Sequence, residues 1–512
     1  MELYLNREKI NHVRNILNTS ITQEETMEMI VPDSSPDILR IISVDTTVLV
    51  RGKEADAGRV SVSGVALATV IYAPEGTDGV RKINAEIPFT ISAAESEITH
   101  LSKVIARVSP VSSDASIVNP RKFVLRADIR AELSCYNDDE LSVTSDVELP
   151  GDSGIELLRE GCDICLPVDV REKSFVISDE MTLPNSSPEI GELLRTRVTV
   201  TTEEAKVVGN KVIFRGHTNI AMLYSPAGGG ELHNADLQSE FSQIMELENI
   251  SEECQFDMVL ILTGVYIDPG NADYSDGRSV SCELHVVAQC VAVERKTISF
   301  ISDIYSTKYD IMKSPQELEF EHKEPAAKFS SMFRDTLETP GDVERVIAVS
   351  AETGTAETED GTLKAPIYVK CIYLGGDGRV LSISSRFMAE SPWAGAAGDN
   401  SSTHAISASV GSEVYGAAAG GGIELRIPVD FTVSETVIIR VSHLDEISYD
   451  EESAIDTSKM PSLMISKAFR GDTLWKLAKK HHSTAELILS ANDLASEEDI
   501  IEGQMLIVPK KR

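Results

Sequence analysis

Few side chains in this 512-residue chain have the type and spacing that catalysis or metal binding requires. Cys162 and Cys165 form its single Cys-x-x-Cys motif, which could supply half of a zinc site or act as a redox pair. A zinc site needs a second pair at suitable spacing, and Cys135 stands alone. A redox pair is typical of a βαβ context, which these repeats do not offer. We therefore expect inert structural thiols, no metal and no cofactor.

The other acids, bases and nucleophiles are scattered. His481 and His482 follow a predicted helix, where imidazoles are more typical of a helix end than of a metal site. Acidic pairs such as Asp138-Asp139 indicate solvated loops rather than glycosidase chemistry. The chain has no Gly-x-x-x-x-Gly-Lys phosphate loop and no Gly-x-Ser-x-Gly elbow. The sequence thus predicts a binding protein with no catalytic residues, and not an enzyme.

Composition narrows the class of partner. The formal charge is −35, and residues 461–512 hold eight basic and seven acidic residues, so the preceding part carries nearly all of the negative charge. Such a body repels nucleic acid and anionic membranes. The first eight residues lack the basic and apolar regions of a secretory signal, and seven cysteines fit reduced thiols. We expect a cytoplasmic protein that does not insert into membranes.

The chain before residue 448 repeats itself with a shift of 152 residues. The block 31–38 (Val-Pro-Asp-Ser-Ser-Pro-Asp-Ile) returns as 183–190 (Leu-Pro-Asn-Ser-Ser-Pro-Glu-Ile). Three further residues recur at this shift: Gly64 as Gly216, Tyr72 as Tyr224 and Phe89 as Phe241. A third, weaker copy begins near Pro340 and lacks the Ser-Ser-Pro block.

Alternation of polar and apolar residues within each copy is typical of half-buried strands. Clear examples are 59–72, 122–133, 279–288, 423–431 and 437–441. Short helices are predicted only at 11–17 and at the Pro-Asp-Ile starts, where the paired serines would be turn and cap residues. The fold class is therefore mainly β, with three antiparallel β-sandwich-like domains in a row.

The predicted boundaries follow from these patterns. They comprise an N-terminal helical or extended segment at 1–24, repeat domains at 25–160, 161–310 and 311–447, an acidic linker at 448–460 and a C-terminal domain at 461–512. A second linker is predicted at 310–324. We expect the polar linker at 448–460 to tether the C-terminal domain flexibly.

The C-terminal segment predicts a small α/β domain of βααβ type. Apolar runs at 463–465 and 506–508 are typical of buried strands. Asp472 or Thr473 can cap a first helix, whose apolar face is Leu474, Leu477 and Ala478. Ser483 or Thr484 can cap a second helix, which ends near Asn492.

These residues resemble the LysM domain, a module that binds N-acetylglucosamine polymers or, in some lineages, another protein. Ile465 departs from the early aromatic residue of many members. The repeats, with the Pro-x-x-x-Pro-Asp-Ile opening and the Asn-Pro-Arg-Lys lead-in at 119–122, resemble the SPOCS domain of spore-coat proteins from endospore-forming bacteria. Three such repeats before a LysM domain are similar to the SipL family of coat morphogenetic proteins.

The resemblance implies a scaffold in the mother-cell cytoplasm, at the forespore surface. Its LysM domain would bind the coat-basement ATPase SpoIVA, and other coat proteins would join it. The alternative is a protein that binds peptidoglycan of the spore cortex or cell wall. A third option, a hydrolase, would require a polar cleft with converging titratable groups in the folded repeats.

The family's ligand contacts come from the loop after the first LysM strand and the loop before the second. Carried onto this chain, they are Phe469, Arg470, Gly471, Asp472, Thr473, Lys476, Asn492, Glu498, Asp499, Ile500 and Ile501. Phe469 and Ile500 could form an apolar platform for a sugar ring or the centre of a protein interface. Arg470, Lys476 and Lys480 would supply the charged rim of that interface.

Overall fold

The computed structural model describes residues 2–510 except 78, 150, 152, 249, 271–276, 325, 394, 396–401, 412, 456–460 and 497–499. Strands dominate the described residues, and two short helices lie near the C-terminus. We refer to residues 2–454 as the body and to residues 461–510 as the C-terminal module.

The first unit of the body is a sandwich of two sheets. Its strands are β1 (Leu5–Ile30), β2 (Ile38–Asp56), β3 (Arg59–Pro74), β4 (Arg81–Ala94), β5 (Lys103–Asn119) and β6 (Lys122–Val147). They pair antiparallel in the orders β2-β3-β4 and β1-β6-β5. Alternate side chains of both sheets, among them Val62, Ile91 and Leu125, pack in one buried core.

The second unit repeats this arrangement. Its strands are β7 (Ile155–Thr182), β8 (Ile190–Val208), β9 (Lys211–Pro226), β10 (His233–Glu246), β11 (Gln255–Pro269) and β12 (Ser279–Ser306). The sheets are β8-β9-β10 and β7-β12-β11. Strands β8 to β11 each begin 152 residues after β2 to β5, in agreement with the predicted repeat.

The third unit has the same plan with a divided first strand. Its strands are β13 (Tyr309–Lys323), β14 (Ala327–Glu338), β15 (Val343–Thr353), β16 (Glu357–Glu359), β17 (Thr362–Gly375), β18 (Val380–Pro392), β19 (Ser402–Val410), β20 (Tyr415–Ala419) and β21 (Gly422–Ala454). The long β21 pairs with β13 and β14 along one edge and with β19 and β20 along the other. The predicted strands at 423–431 and 437–441 are thus parts of one strand.

The predicted helices of the body are wrong. Residues 11–17 lie in β1, where they pair with 135–140 of β6, and tertiary pairing overrides the local pattern. The Ser-Ser-Pro blocks form turns that lead directly into β2 and β8. Arg121 fastens the first turn, since its guanidinium donates to the carbonyls of Val31, Pro32 and Ser35 and to the carboxylates of Asp33 and Asp37.

The recurrence of Gly64 and Gly216 has a steric cause. A Cβ on Gly64 would overlap the carbonyl oxygen of Leu49 and would lie 2.7 Å from the ring of Phe89. A Cβ on Gly216 would meet Thr201 and Phe241 in the same way. Each glycine therefore lets an aromatic ring and a neighbouring strand approach its backbone closely.

The three units surround a common axis. The sequence repeats had suggested a row of domains, and the units do not form one. The first and last strands of each unit extend beyond its sandwich as a two-stranded ribbon. Apolar side chains from all three ribbons share two buried clusters, which include Ile10, Ile164, Phe300 and Phe320. The three sequence repeats thus fold into one body and not into separate domains, because the ribbons bury their apolar faces against each other.

Equivalent residues of the three sandwiches also meet at the other end. Ile42, Leu194 and Ile347 occupy the same position in β2, β8 and β15 and lie in one buried cluster. Arg40 donates to the carbonyl of Val380 at 2.8 Å, which joins the first unit to the third. The corresponding Arg345 bonds Glu231 and the carbonyl of Leu232, joining the third unit to the second. Lys82 donates to the carbonyl of Leu193, which joins the first unit to the second, so the contacts close a ring.

Both predicted linkers contain strand. Residues 310–323 belong to β13, and β21 continues through the acidic stretch to Ala454. These residues pair with each other, Ile311 opposite Tyr449, so they form the third ribbon. The remainder of the predicted C-terminal linker, 456–460, lies outside the described residues.

Candidate functional site

The C-terminal module has the predicted βααβ order. Its elements are β22 (Leu463–Lys467), α1 (Leu474–Lys480), α2 (Ala485–Ala491) and β23 (Met505–Pro509). The hydroxyl of Thr473 accepts a hydrogen bond from the backbone of Lys476, and that of Thr484 accepts one from Leu487, so both threonines are N-caps. Leu477, Ile488 and Leu506 pack between the helices and the two-stranded sheet.

The two loops that carry the predicted site lie side by side. The backbone N–H of Ala468 donates to the carbonyl of Gln504, and that of Gly503 donates to the carbonyl of Ala468, each at 2.8 Å. The first loop is closed by the Asp472 carboxylate, which accepts from the backbone of Phe469 at 3.0 Å. Gly471, with φ of +84°, makes the turn. This hydrogen bonding fixes the base of a surface formed by both loops.

Two apolar side chains stand outward on these loops. Phe469 is 65% exposed and Ile501 is 73% exposed. The ammonium of Lys467 lies 6.0 Å from the centre of the Phe469 ring, and Arg470 and Lys476 are exposed nearby in sequence. An apolar centre with basic neighbours can stack on a sugar ring or bind an apolar protein surface with an acidic rim.

The other residues predicted at the end of α2 and in the second loop differ in their surroundings. The side-chain amide of Asn492 makes three bonds of 2.7 Å, to the carbonyls of Ile488 and Ile507 and from the N–H of Ile507. It therefore fastens β23 to α2. Ile500 packs partly buried against the module core. Glu498 and Asp499 lie outside the described residues. Ligand contact by any of these residues stays a prediction.

The sequence reasoning missed an apolar face of the small sheet. Leu463, Ile465 and Met505 lie on the side of β22 and β23 that turns away from the module core, and all three are exposed. The signal was present in the sequence, because Leu463-Met464-Ile465 is apolar on both faces of a strand.

The module is held against the body, contrary to the expectation of a flexible tether. Asp303 near the end of β12 accepts hydrogen bonds from the indole N–H of Trp475 at 2.8 Å and from the ammonium of Lys479 at 2.7 Å. The ring of Tyr305 meets Trp475 edge-on at 4.7 Å, and its hydroxyl donates to the carbonyl of Ser483 at 2.9 Å. Trp475 is half-buried at this contact.

The charge at this contact is strongly stabilised. Burial raises the pKa of Asp303, but hydrogen bonds from Lys313, Lys479 and Trp475 outweigh burial and lower that pKa to about 2. Asp303 is therefore ionised at neutral pH. No local pattern marks Asp303 or Tyr305 as contacts of a module that lies more than a hundred residues later, so the sequence could not reveal them.

The residues that could have supplied other chemistry are placed apart. Cys162 and Cys165 lie on opposite faces of β7, where they pack in different apolar clusters, and burial raises the pKa of both thiols. His481 ends α1, and burial, Lys480 and His482 lower its pKa. Its imidazole is thus neutral at pH 7 and contributes little charge to the helix end.

Comparison with protein families identifies two kinds of domain in the chain. The model of the SPOCS domain of SipL matches residues 37–116 and 189–268, and that of the LysM domain matches residues 470–509. LysM and SPOCS domains are binding or scaffold domains and not catalytic families, and together they fit a sporulation-related adaptor of peptidoglycan-binding type. Comparison with curated proteins and with solved structures gave no match. Among the described residues, no helix has the length and apolar character required to cross a bilayer.

Proposed function

We propose that this chain, with its SPOCS repeats and C-terminal LysM domain, is a non-enzymatic scaffold of endospore coat assembly. It would act in the mother-cell cytoplasm and dock through its LysM domain to a SpoIVA-like coat-basement ATPase at the forespore surface. The body would recruit other coat proteins. The observation that carries the proposal is the outward pair Phe469 and Ile501 on two loops that are bonded side by side.

Charge supports a protein partner. The exposed apolar pair adjoins Arg470 and Lys476 along one segment and Glu502 along the other, so both signs of charge surround it. A protein partner with an apolar centre and a rim of both charges would complement this surface. Buried aromatic and arginine side chains are common centres of binding energy in protein interfaces.

The alternative function is binding of peptidoglycan through the same loops. Aromatic and aliphatic side chains such as Phe469 can stack on N-acetylglucosamine rings, and the LysM domain match favours such a ligand. The two functions differ in the partner's chemistry, so one experiment can separate them.

The experiment is a pull-down of the full-length chain on insoluble peptidoglycan and on immobilised SpoIVA-type ATPase at physiological salt. We expect retention on the ATPase and loss of retention when Phe469 is replaced by alanine. Leu101→Ala is the matched control, because Leu101 is an equally exposed apolar residue on the first unit. Retention on peptidoglycan but not on the ATPase would contradict the scaffold function and support peptidoglycan binding.

A further inference from the structure

A polar cleft of about 300 Å³ lies where the first and third units meet, next to the second. Charged side chains from all three units line it. They are Asp45 and Asp114 from the first unit, Arg197 from the second, and Glu352, Lys370 and Arg386 from the third. The hydroxyls of Ser350, Ser384 and Ser385 add further polar groups. A hydrolase in the repeats would need a cleft of this kind.

Two of the carboxylates in the cleft are engaged. Asp45 accepts bonds from Arg195 at 3.3 Å and from the hydroxyl of Ser43 at 2.7 Å. Burial raises the pKa of Asp45, but Arg195 and other nearby cations outweigh burial and hold it well below its usual range. Glu352 accepts a bond of 2.6 Å from Arg197. Asp45 is thus held ionised by its cationic partners. Burial raises the pKa of Glu352 despite its bond to Arg197, so this carboxylate is the less firmly ionised of the two.

The donors of the cleft, in contrast, are only partly used. The ammonium of Lys370 donates to the carbonyls of Val44 and Ser113, which leaves one of its three hydrogens. Arg197 uses two of its five donors, on Glu352 and on the carbonyl of Ala351. The guanidinium of Arg386 lies over the Tyr368 ring at 5.7 Å and has no hydrogen-bond or ion-pair partner among the described residues.

Two buried arginines next to the cleft add to this excess of donors. Arg195 is 6% exposed and Arg130 is 4% exposed. The Nε atom of each has no hydrogen-bond partner in the part of the chain that the structure describes. Arg195 bonds the cleft carboxylate Asp45, and Arg130 lies close enough to Glu352 to favour its charged form. Arg130 is also paired with Glu132, whose carboxylate oxygen lies 3.5 Å from its Nε atom, so the unbonded Nε of Arg195 is the donor that an added acceptor would favour most.

We propose that this cleft binds a small molecule with an oxyanion group, such as a phosphate, held by Arg197, Lys370 and Arg386. An oxyanion is rich in acceptors and has no need of the carboxylates, so it complements the unused donors. The ligand would join the second and third units directly, and it would connect to the first unit through Lys370, which is bonded to Val44 and Ser113. Binding would therefore stabilise the closed ring.

The test uses inorganic phosphate and the full-length chain, with sodium chloride added to hold ionic strength constant. Calorimetric titration should show one site in the millimolar range or tighter, and phosphate should raise the unfolding temperature. Arg386→Gln should weaken binding on the order of tenfold, since it removes one charge-assisted contact. That substitution should leave the unfolding temperature without phosphate unchanged, because Arg386 is exposed and bonds no described residue.

Arg334→Gln is the matched control. Arg334 is an exposed arginine on β14 of the same unit, outside the cleft. The Arg334→Gln variant should therefore bind phosphate like the unmodified chain. An absence of phosphate binding would overturn the proposal. Equal binding by the Arg386 and Arg334 variants would overturn it as well, because the ion would then lie elsewhere.

Discussion

The contact between the body and the LysM domain gives the sharpest prediction. Asp303→Asn keeps the size of the side chain but removes the charge that Lys313, Lys479 and Trp475 stabilise. We expect this change to favour release of the LysM domain from the body without unfolding either part. The two parts have separate apolar cores, and Tyr305 is the body residue that packs with the core of the domain.

The size of the effect follows from the pKa of Asp303. Lowering a carboxyl pKa from 3.8 to about 2 corresponds to at most ~2.4 kcal/mol of stabilisation. Lys313 belongs to the body and keeps its bond to Asp303 after release, so only the bonds from Lys479 and Trp475 count toward the contact. Solvent screens part of that share because Lys479 is partly exposed, and we expect about 1 kcal/mol. The fraction of released LysM domain should then rise about fivefold.

Exchange of the Trp475 indole proton, followed by nuclear magnetic resonance, measures this fraction directly. We expect faster exchange by about fivefold in Asp303→Asn. Asp377→Asn is the control, since Asp377 forms an ion pair with Arg379 in the turn between β17 and β18, at the opposite end of the body. Unchanged exchange in Asp303→Asn would refute the reasoning.

The stability of the contact between the body and the LysM domain should fall as the pH falls. The pKa of Asp303 is lowered in the folded chain, so its contribution is complete above about pH 5 and is lost as pH falls toward 2. The difference in exchange between the unmodified chain and Asp303→Asn should therefore be roughly halved, in free energy, at pH 3. A difference that grows on acidification would contradict the assignment.

Four other substitutions test the site and the fold. Phe469→Ala or Arg470→Ala should weaken partner binding by about 1–3 kcal/mol, as measured by calorimetry, and unchanged affinity would place the interface elsewhere. Gly64→Ala should lower the free energy of unfolding in urea by about 3 kcal/mol or more, because its Cβ would overlap Leu49, whereas Gly228→Ala, in open space, should change it by less than about 0.5 kcal/mol. Asn492→Ala should lower the thermal stability of the LysM domain by about 2 kcal/mol, since three hydrogen bonds are lost, and calorimetric melting would reveal it.

The strands and the repeat were predictable from the sequence because both depend on local pattern. Side chains of 59–72 alternate between the core and the opposite face of the sheet, as their polarity alternates. Residues 11–17 were not predictable in this way, because their partners in β6 lie more than a hundred residues away. The ring of three units was equally hidden, since only the folded ribbons show which apolar faces meet.

For the candidate site, the sequence and its resemblance predicted the loops but not the task of each residue. Thr473 and Asn492 lie at the predicted ligand-contact loops. In the structure, Thr473 caps a helix and Asn492 fastens β23. Such roles depend on which polar atoms meet in space. The cleft between the units had no sequence signal. Its residues come from all three copies, and within each copy they form part of an ordinary strand pattern.

The closed ring has a consequence for stoichiometry. An assembly of three separate single-repeat chains would carry three identical heads, whereas this polypeptide carries one LysM domain on three fused repeats. Fusion also allows matching positions to diverge: Asp45, Arg197 and Ser350 are equivalent by the alignment of Ile42, Leu194 and Ile347, yet they are an acid, a base and an alcohol. The chain thus combines one LysM domain with a single cleft of mixed chemistry, which a symmetric oligomer of identical repeats cannot provide.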